Sequence, residues 1–269
     1  MEKIVEIRDC LRLSESKIRE QLGESRKGLP IFVYECTDST NYRAELYAKD
    51  GRLPALFIAQ SQSAGRGRRG RSFSSCEGGL YMTIAFLPGK KAFDAVSVTT
   101  YAAVIIAEAL EELTPLKPQI KWVNDIYIGK RKLAGILTQG SIDAESGSLS
   151  YAVIGVGINL AKRDFPSDVA EIATTVEDAC GTLPDINTLA ARIADRFFGE
   201  LDKLGSKEIA DRYRSRSFLV GKDIRVIKLS EEYYAHVVGI TDACELILRR
   251  SDGKEEILAT GEVSVRENI

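Results

Sequence analysis

The stretch "PALFIAQSQSAGRGRRGRSFSSCEGGLYMTIAFLPG" (residues 54–89) holds two apolar, strand-like runs around a charged centre. From Gly65 to Arg71 there are four arginines and three glycines and nothing apolar. Such a segment has no side chain to bury and cannot fold by itself. The runs before and after it anchor it at the end of a sheet, where α/β proteins place ligands. Three readings compete. The segment can be a solvated charged turn. It can be an arm that binds single-stranded nucleic acid through charge and stacking. It can be an anion-binding loop, in which glycine lets backbone N–H groups approach and arginine neutralises. It is not a Walker loop, because no G-K-[ST] closes it and no helical pattern follows. Four arginines this close repel one another, so the segment is expected to be mobile until a polyanion orders it.

The whole chain does not share this charge. Its 269 residues carry 37 Lys and Arg against 39 Asp and Glu, a net charge of −2. The positive charge is therefore local and needs a local explanation. Five scattered cysteines without a C-x-x-C, and a single histidine (His236), argue against a zinc site and a disulfide framework and fit a reducing cytosol. The N-terminus alternates charged and apolar residues, unlike a signal peptide. The longest apolar run, around Ala102–Ala107, is too short to span a bilayer.

Along the chain, "KIVEIRDCLRLSESKIREQLG" (3–23) predicts a short amphipathic helix ended by Gly23. "PIFVYECTDSTN" (30–41) predicts a strand and a turn, with Asp38, Ser39 or Thr40 capping a following helix. A long helix with a wide apolar face is expected over 93–113. Three strand-like runs follow, "QIKWVNDIYIG", "RKLAGILTQGS" and "LSYAVIGVGINL". Helices are expected near 185–204 and 206–217. From Lys222 the texture changes to short alternating runs, ending in "EEILATGEVSVR" (255–266), with a hairpin signal at Asp252-Gly253. About fifty such residues suggest a small antiparallel barrel, with a boundary near Phe218.

Two of these runs carry unusual residues. In "IKWVNDIYI", Lys121 shares one face with Val123, Asp125 and Tyr127. A lysine there is costly unless an anion meets it or its ammonium snorkels to water. In "YAVIGVGINL", one face reads Tyr151, Val153, Gly155, Gly157, Asn159, while the other is wholly apolar. Glycines in a strand interior mark a bulge or the close approach of a ligand or another backbone.

Taken in order, "DSTN" (38–41), "QSAGRGRRGRSF" (62–73), "KWVND" (121–125), "KLAGIL" (132–137), "GVGIN" (155–159) and "GEVSVR" (261–266) resemble the motifs of biotin protein ligases from about Pro30 onward. The resemblance implies an α+β fold (mixed α/β): a class II synthetase-like catalytic domain, with a central mixed sheet flanked by helices, over 1–218. A short N-terminal helical segment (1–28) precedes its sheet, and a small SH3-like barrel follows over 219–269. It also implies two half-reactions. Biotin's carboxylate attacks the α-phosphate of ATP to give biotinyl-5′-AMP, and a carrier lysine then takes the biotinyl group.

Matched motif to motif, Ser39, Thr40 and Asn41 resemble the wall that meets the ureido ring, with Gln62 at its border. Arg66, Gly67 and Arg68 resemble the part of the loop that closes over biotin and phosphates. Gly155 and Gly157 would line the biotin floor. Lys121 and Arg68 resemble the catalytic cations, Lys121 the central one. Arg71, Phe73, Asn124, Asn159 and Arg266, with Arg68 and Lys121, are implied nucleotide contacts. Mg²⁺ would come with ATP, with no protein-only metal site. The implied acceptor is a biotin carboxyl carrier domain, and a homodimer through an exposed edge such as "KLAGILTQ" is expected. Only about thirty residues precede the first strand, with one helical segment, so no helix-turn-helix, DNA binding or repressor role is expected. Phe73 stands where the family commonly has tryptophan, Val123 for proline and Gln139 for glutamate. Lipoate ligases resemble this fold too, and a nucleic-acid module using the Arg/Gly loop is the alternative from a different class.

Overall fold

The computed structural model describes residues 9–88, 95–142, 149–228, 231–259 and 261–265. Its centre is a seven-stranded mixed sheet. The strands are β1 (Ile31–Thr37), β2 (Ala55–Gln62), β3 (Gly79–Phe86), β4 (Gln119–Lys121), β5 (Asp125–Ile128), β6 (Arg131–Ile142) and β7 (Leu149–Asn159), in the order β1-β2-β3-β7-β6-β5-β4. β1 and β2 are parallel, joined through α2 (Thr40–Lys49), and every other pairing is antiparallel. β3 is buried along its whole length, as expected of a strand read from a continuous apolar run.

The two faces are covered unequally. One face packs on α3 (Ala95–Leu113) and α5 (Ile186–Gly199), around residues such as Ile84, Tyr101, Ile105, Ile154 and Phe197. α1 (Glu15–Gln21), capped by Ser14, lies against α5, with Ile18 buried. The predicted N-terminal helix is thus shorter than its pattern, because Leu11 to Leu13 leave the helix before Ser14 restarts it; residues 3–8 of the prediction lie outside the described residues. On the other face, α2 covers only the β1, β2, β3 and β7 side, through Ala44, Ala48, Phe57, Ala85 and Val153. Among the described residues no helix covers the rest of that face, over Gly135 and Gly157.

Two predicted strands are not single strands. "IKWVNDIYI" folds back on itself as the β4–β5 hairpin, turning at residues 122–124 and pairing Lys121 with Asp125. Lys121 and Asp125 still share a face, since directly paired residues point the same way. "EEILATGEVSVR" divides into β11 (Glu255–Leu258) and β12 (Glu262–Val265), which lie at opposite ends of the second sheet. Nor is "KLAGILTQ" simply an edge: β6 is internal, paired with β5 through Gly135 and with β7 throughout.

After α4 (Val176–Cys180), α5 and α6 (Lys207–Arg216) come β8 (Asp223–Ile227), β9 (Glu232–Ile240) and β10 (Leu246–Arg250). With β11 and β12 they form a five-stranded antiparallel sheet, β11-β10-β9-β8-β12, the small C-terminal barrel. A buried hydrogen bond joins it to the first sheet, Trp122 Nε1 donating to the Cys244 carbonyl at 2.8 Å. Among the described residues no helix is long and apolar enough to cross a membrane. Substituting Trp122→Phe keeps the apolar body and removes the indole donor to the Cys244 carbonyl. It should lower unfolding free energy by about 1–3 kcal/mol, read as a lower urea midpoint, and an unchanged midpoint would show that this bond does not hold the barrel.

Candidate active site

The open half of the sheet is the floor of a cavity of about 560 Å³, a size that suits a small ligand. Its polar wall is built by the N-terminus of α2. Thr40 donates twice to Gln62 Oε1, from its backbone N (2.8 Å) and its Oγ1 (3.0 Å). Gln62 Nε2 donates to Ser75 Oγ at 2.8 Å. Thr83 Oγ1 lies 2.8 Å from both Thr40 Oγ1 and Asn41 Oδ1, and Asn41 Nδ2 donates to Gln139 Oε1 at 2.8 Å. Ser39 is the N-cap of α2 and is buried beside them. The wall is therefore held by side-chain pairs from five segments and does not depend on a ligand.

The glycine face of β7 works by close approach. A Cβ on Gly155 would lie 1.9 Å from Asn41 Oδ1, so Asn41 occupies the space a side chain would take. A Cβ on Gly157 would lie 2.3 Å from the Phe73 ring, which also rests on Gly135. Phe73 thus stands over the middle of the floor.

The arginine segment folds as a finger with hydrogen bonds of its own. Phe73 N donates to Gly65 O (2.9 Å) and Gly67 N to Arg71 O (2.7 Å), and the tip turns where Arg69 and Gly70 both have positive φ. The arginines avoid mutual repulsion by facing different partners. Arg66 lies over the Tyr42 ring. Arg68 donates to Asn124 Oδ1 (2.9 Å) and to the Gly261 carbonyl (3.2 Å). Arg71 donates to Glu262 Oε2 (2.8 Å), and Arg69 lies 4.0 Å from the same carboxylate. The finger folds onto the cavity and barrel instead of projecting outward, which disfavours a nucleic-acid arm.

Lys121 faces the cavity and, among the described residues, has no ion pair or hydrogen bond; its ammonium lies 5.7 Å from the Tyr127 ring centroid. Burial holds this ammonium below the usual lysine range; neighbouring Lys132 adds to that, while Asp125 and Glu262 oppose it. Asn124, buried, donates to the Ile136 carbonyl at 2.9 Å and so fixes the hairpin turn on β6. Asn159 ends the floor, its Nδ2 donating to Thr174 O at 3.1 Å.

Every site residue expected from the sequence lines this one cavity except Arg266, which lies outside the described residues. Several cavity residues were not anticipated, among them three that bear on its charge. Lys132 reaches over Gly135 and pairs with Asp125 at 2.7 Å, giving a second ammonium beside Lys121. Arg163 reaches the far end, and Glu262 comes from the barrel. In all, six cationic side chains face three carboxylates, so the cavity is a local well for anions although the chain is slightly acidic. His236 sits on the barrel with Asp223, outside this wall.

Comparison with known proteins gives a consistent set of relatives. Residues 33–159 match the biotin/lipoate A/B protein ligase family, and residues 219–266 match the biotin protein ligase C terminal domain. The chain is 31% identical over 232 residues to the biotin--[acetyl-CoA-carboxylase] ligase of Paracoccus denitrificans, covering 83% of this chain and 95% of that protein. It is 30% identical over 253 residues to the bifunctional ligase/repressor BirA of Bacillus subtilis, covering 91% of this chain and 77% of that protein. The fold is similar to a biotin protein ligase from Aquifex aeolicus solved with biotin and ATP, with a TM-score of 0.75 and 24% identity, over 89% of this chain and 99% of that one. These relatives do not favour the lipoate alternative.

The floor geometry is testable on stability alone. Gly155→Ala should displace Asn41 and cost about 1–3 kcal/mol in urea unfolding, and much less in an Asn41→Ala background. Equal costs in both backgrounds would show that Asn41 is not what the glycine accommodates.

Proposed function

The chain belongs to the biotin protein ligase family, and from that premise we infer how its cavity divides the work. The reaction is ATP-dependent biotin ligation. A biotin carboxylate oxygen bonds to the α-phosphorus of ATP, the bond to the β-phosphate breaks, and pyrophosphate leaves. A neutral lysine amine of the acceptor then bonds to the acyl carbon, the C–O bond to AMP breaks, AMP leaves, and the amine's surplus proton passes to solvent. The acceptor is a biotin carboxyl carrier domain.

The single observation that carries the assignment of roles is the pair of ammonium groups, Lys121 and Lys132, beside a neutral polar wall and under an arginine finger. The wall of Ser39, Thr40, Asn41 and Gln62 takes the uncharged head of biotin, whose ureido group needs both donors and acceptors. The carboxylate tail then points along the floor of Gly155 and Gly157 toward the lysines. ATP enters from the Asn159 side, its phosphates meeting Arg68, Arg71 and Lys121, with Phe73 and Asn124 closing the middle and Arg66 and Gly67 covering biotin. Carboxylate and triphosphate repel as they approach, and a compact cation touching both lowers that barrier. The carboxylate is already a nucleophile, so adenylation needs no general base. Mg²⁺ is carried in by the nucleotide; among the described residues no cluster of His, Cys, Asp and Glu would hold a metal alone. Finger closure keeps water from the mixed anhydride. Residues 219–269 are the C-terminal domain, whose barrel holds the finger through Glu262, and Arg266 is a nucleotide contact on the strength of its motif alone. The outer side of β6 beyond Gly135, which has no strand partner among the described residues, is the surface for a homodimer. The reaction is placed in the cytosol, which five scattered cysteines without a C-x-x-C fit.

Incubation with biotin, MgATP and a carrier domain should add the mass of one biotinyl group to one carrier lysine; no mass change would refute ligation. Lys121→Ala should cut biotin-dependent pyrophosphate exchange by ~10²–10³, and normal exchange would remove Lys121 from its role. Because an anion needs the ammonium that burial disfavours, binding takes up a proton once pH exceeds the lowered pKa of Lys121. Affinity for MgATP should therefore fall as pH rises through that pKa, and Lys121→Met should flatten this limb of the titration. A wild-type titration that is already flat would contradict the proposed charge state.

A further inference from the structure

Arg163 lies four residues beyond Asn159, past the end of the floor strand, and its guanidinium meets four acceptors. Nη1 donates to Tyr81 OH (2.6 Å) and the Cys76 carbonyl (3.2 Å). Nη2 donates to Asn159 Oδ1 (2.6 Å) and the Ser74 carbonyl (3.1 Å). The same group stacks on Phe165, 4.8 Å from its ring centroid, and its Nε is buried without a partner. Among the described residues no carboxylate lies within ion-pair distance of it, so it is not a surface salt bridge. Ser74 and Cys76 belong to the root of the arginine finger. The adjoining backbone is stitched to the same place, with Leu160 N and Ala161 N both donating to Gly78 O (3.1 and 2.8 Å).

We propose that Arg163 is a positioning residue for nucleotide recognition, which sets the polarity of the Asn159 amide and locks it to the root of the finger. The argument rests on the reading above that ATP enters beside Asn159. A charged donor at 2.6 Å dictates which end of the amide is oxygen. Nδ2 is then turned to Thr174 O, which uses one of its two N–H groups. The remaining N–H is the group Asn159 offers to a ligand, so Asn159 reads an acceptor atom of the nucleotide. Without Arg163 the amide can present either end, the Ser74 carbonyl loses the guanidinium that keeps the finger root beside it, and the Cys76 carbonyl keeps only Tyr81 OH. A lysine at this position keeps the charge but has no planar fork to span four acceptors.

The test is a set of steady-state measurements of biotin-dependent pyrophosphate exchange on Arg163→Gln, Arg163→Lys, Asn159→Ala and the Arg163→Gln/Asn159→Ala double variant. Arg163→Gln should raise KM for MgATP by about tenfold, the scale of a lost charge-assisted hydrogen bond, and leave KM for biotin within about twofold. Arg163→Lys should rescue little of this. In the double variant the nucleotide effect should not exceed that of Asn159→Ala alone, because the target of the positioning is gone. Additive losses, equal rises in both KM values, or full rescue by lysine would overturn the proposal. Should Arg163→Gln unfold at the assay temperature, Arg163→Lys is read against the same criteria. Exchange in the wild type with an unaltered Arg163→Gln refutes only this inference. No exchange in the wild type refutes the ligase reading and this inference with it.

Discussion

Bare backbone on one face of β7 is the condition on which the site rests. At Gly155 a methyl group would fall on Asn41, and at Gly157 on Phe73. The sheet can therefore carry a polar wall and an aromatic ring at van der Waals distance without a layer of its own side chains between. The opposite face of the same strand is fully apolar and packs on helices, so the strand stays in register despite two glycines in its interior. Rigidity on one face and absence of side chains on the other are what turn a sheet into a ligand floor.

Charge is arranged on that floor with the same economy. The finger's arginines are each engaged, but Arg71 with Glu262 is an exposed pair of the kind that contributes only about 0–1 kcal/mol. A triphosphate in the cavity carries several charges and can replace such partners without a large cost. Arg68 differs, because its contacts are a neutral amide and a carbonyl, so it reaches the cavity wall with its charge uncompensated by either. Lys121 differs again, since burial disfavours its charged state until an anion arrives. Binding of the nucleotide is thereby coupled to the finger, to the hairpin that carries Lys121, and, through Glu262 and Gly261, to the barrel.

Much of this was legible in the sequence, for physical reasons that also mark the boundary of such reading. The two runs around the arginine finger are apolar because β2 and β3 are buried, and the glycine alternation in "GVGIN" follows from one-sided close approach. The β4–β5 hairpin was hidden because its turn at Trp122–Asn124 has neither glycine nor proline, while strand alternation survives the reversal. Lys132 was masked because it ends a run of three cations, Lys130, Arg131 and Lys132, which reads as a solvated turn rather than as a single cation in an apolar strand like Lys121. Arg163 carried none, since its partners are carbonyls and an amide brought to it by the fold from residues as distant as Ser74. The internal position of β6 depends on pairing partners that periodicity does not name. The finger's contacts with Asn124 and Glu262 come from far along the chain, and local repulsion alone gave no hint of them.

A crystal structure with biotin and a non-hydrolysable ATP analogue bound together tests the central claim most directly. The account predicts a biotin carboxylate oxygen within about 3.5 Å of the α-phosphorus, with the Lys121 ammonium against both groups and the arginine finger closed over them. Two ligands held in separate places, or a Lys121 nitrogen that touches neither, would contradict it.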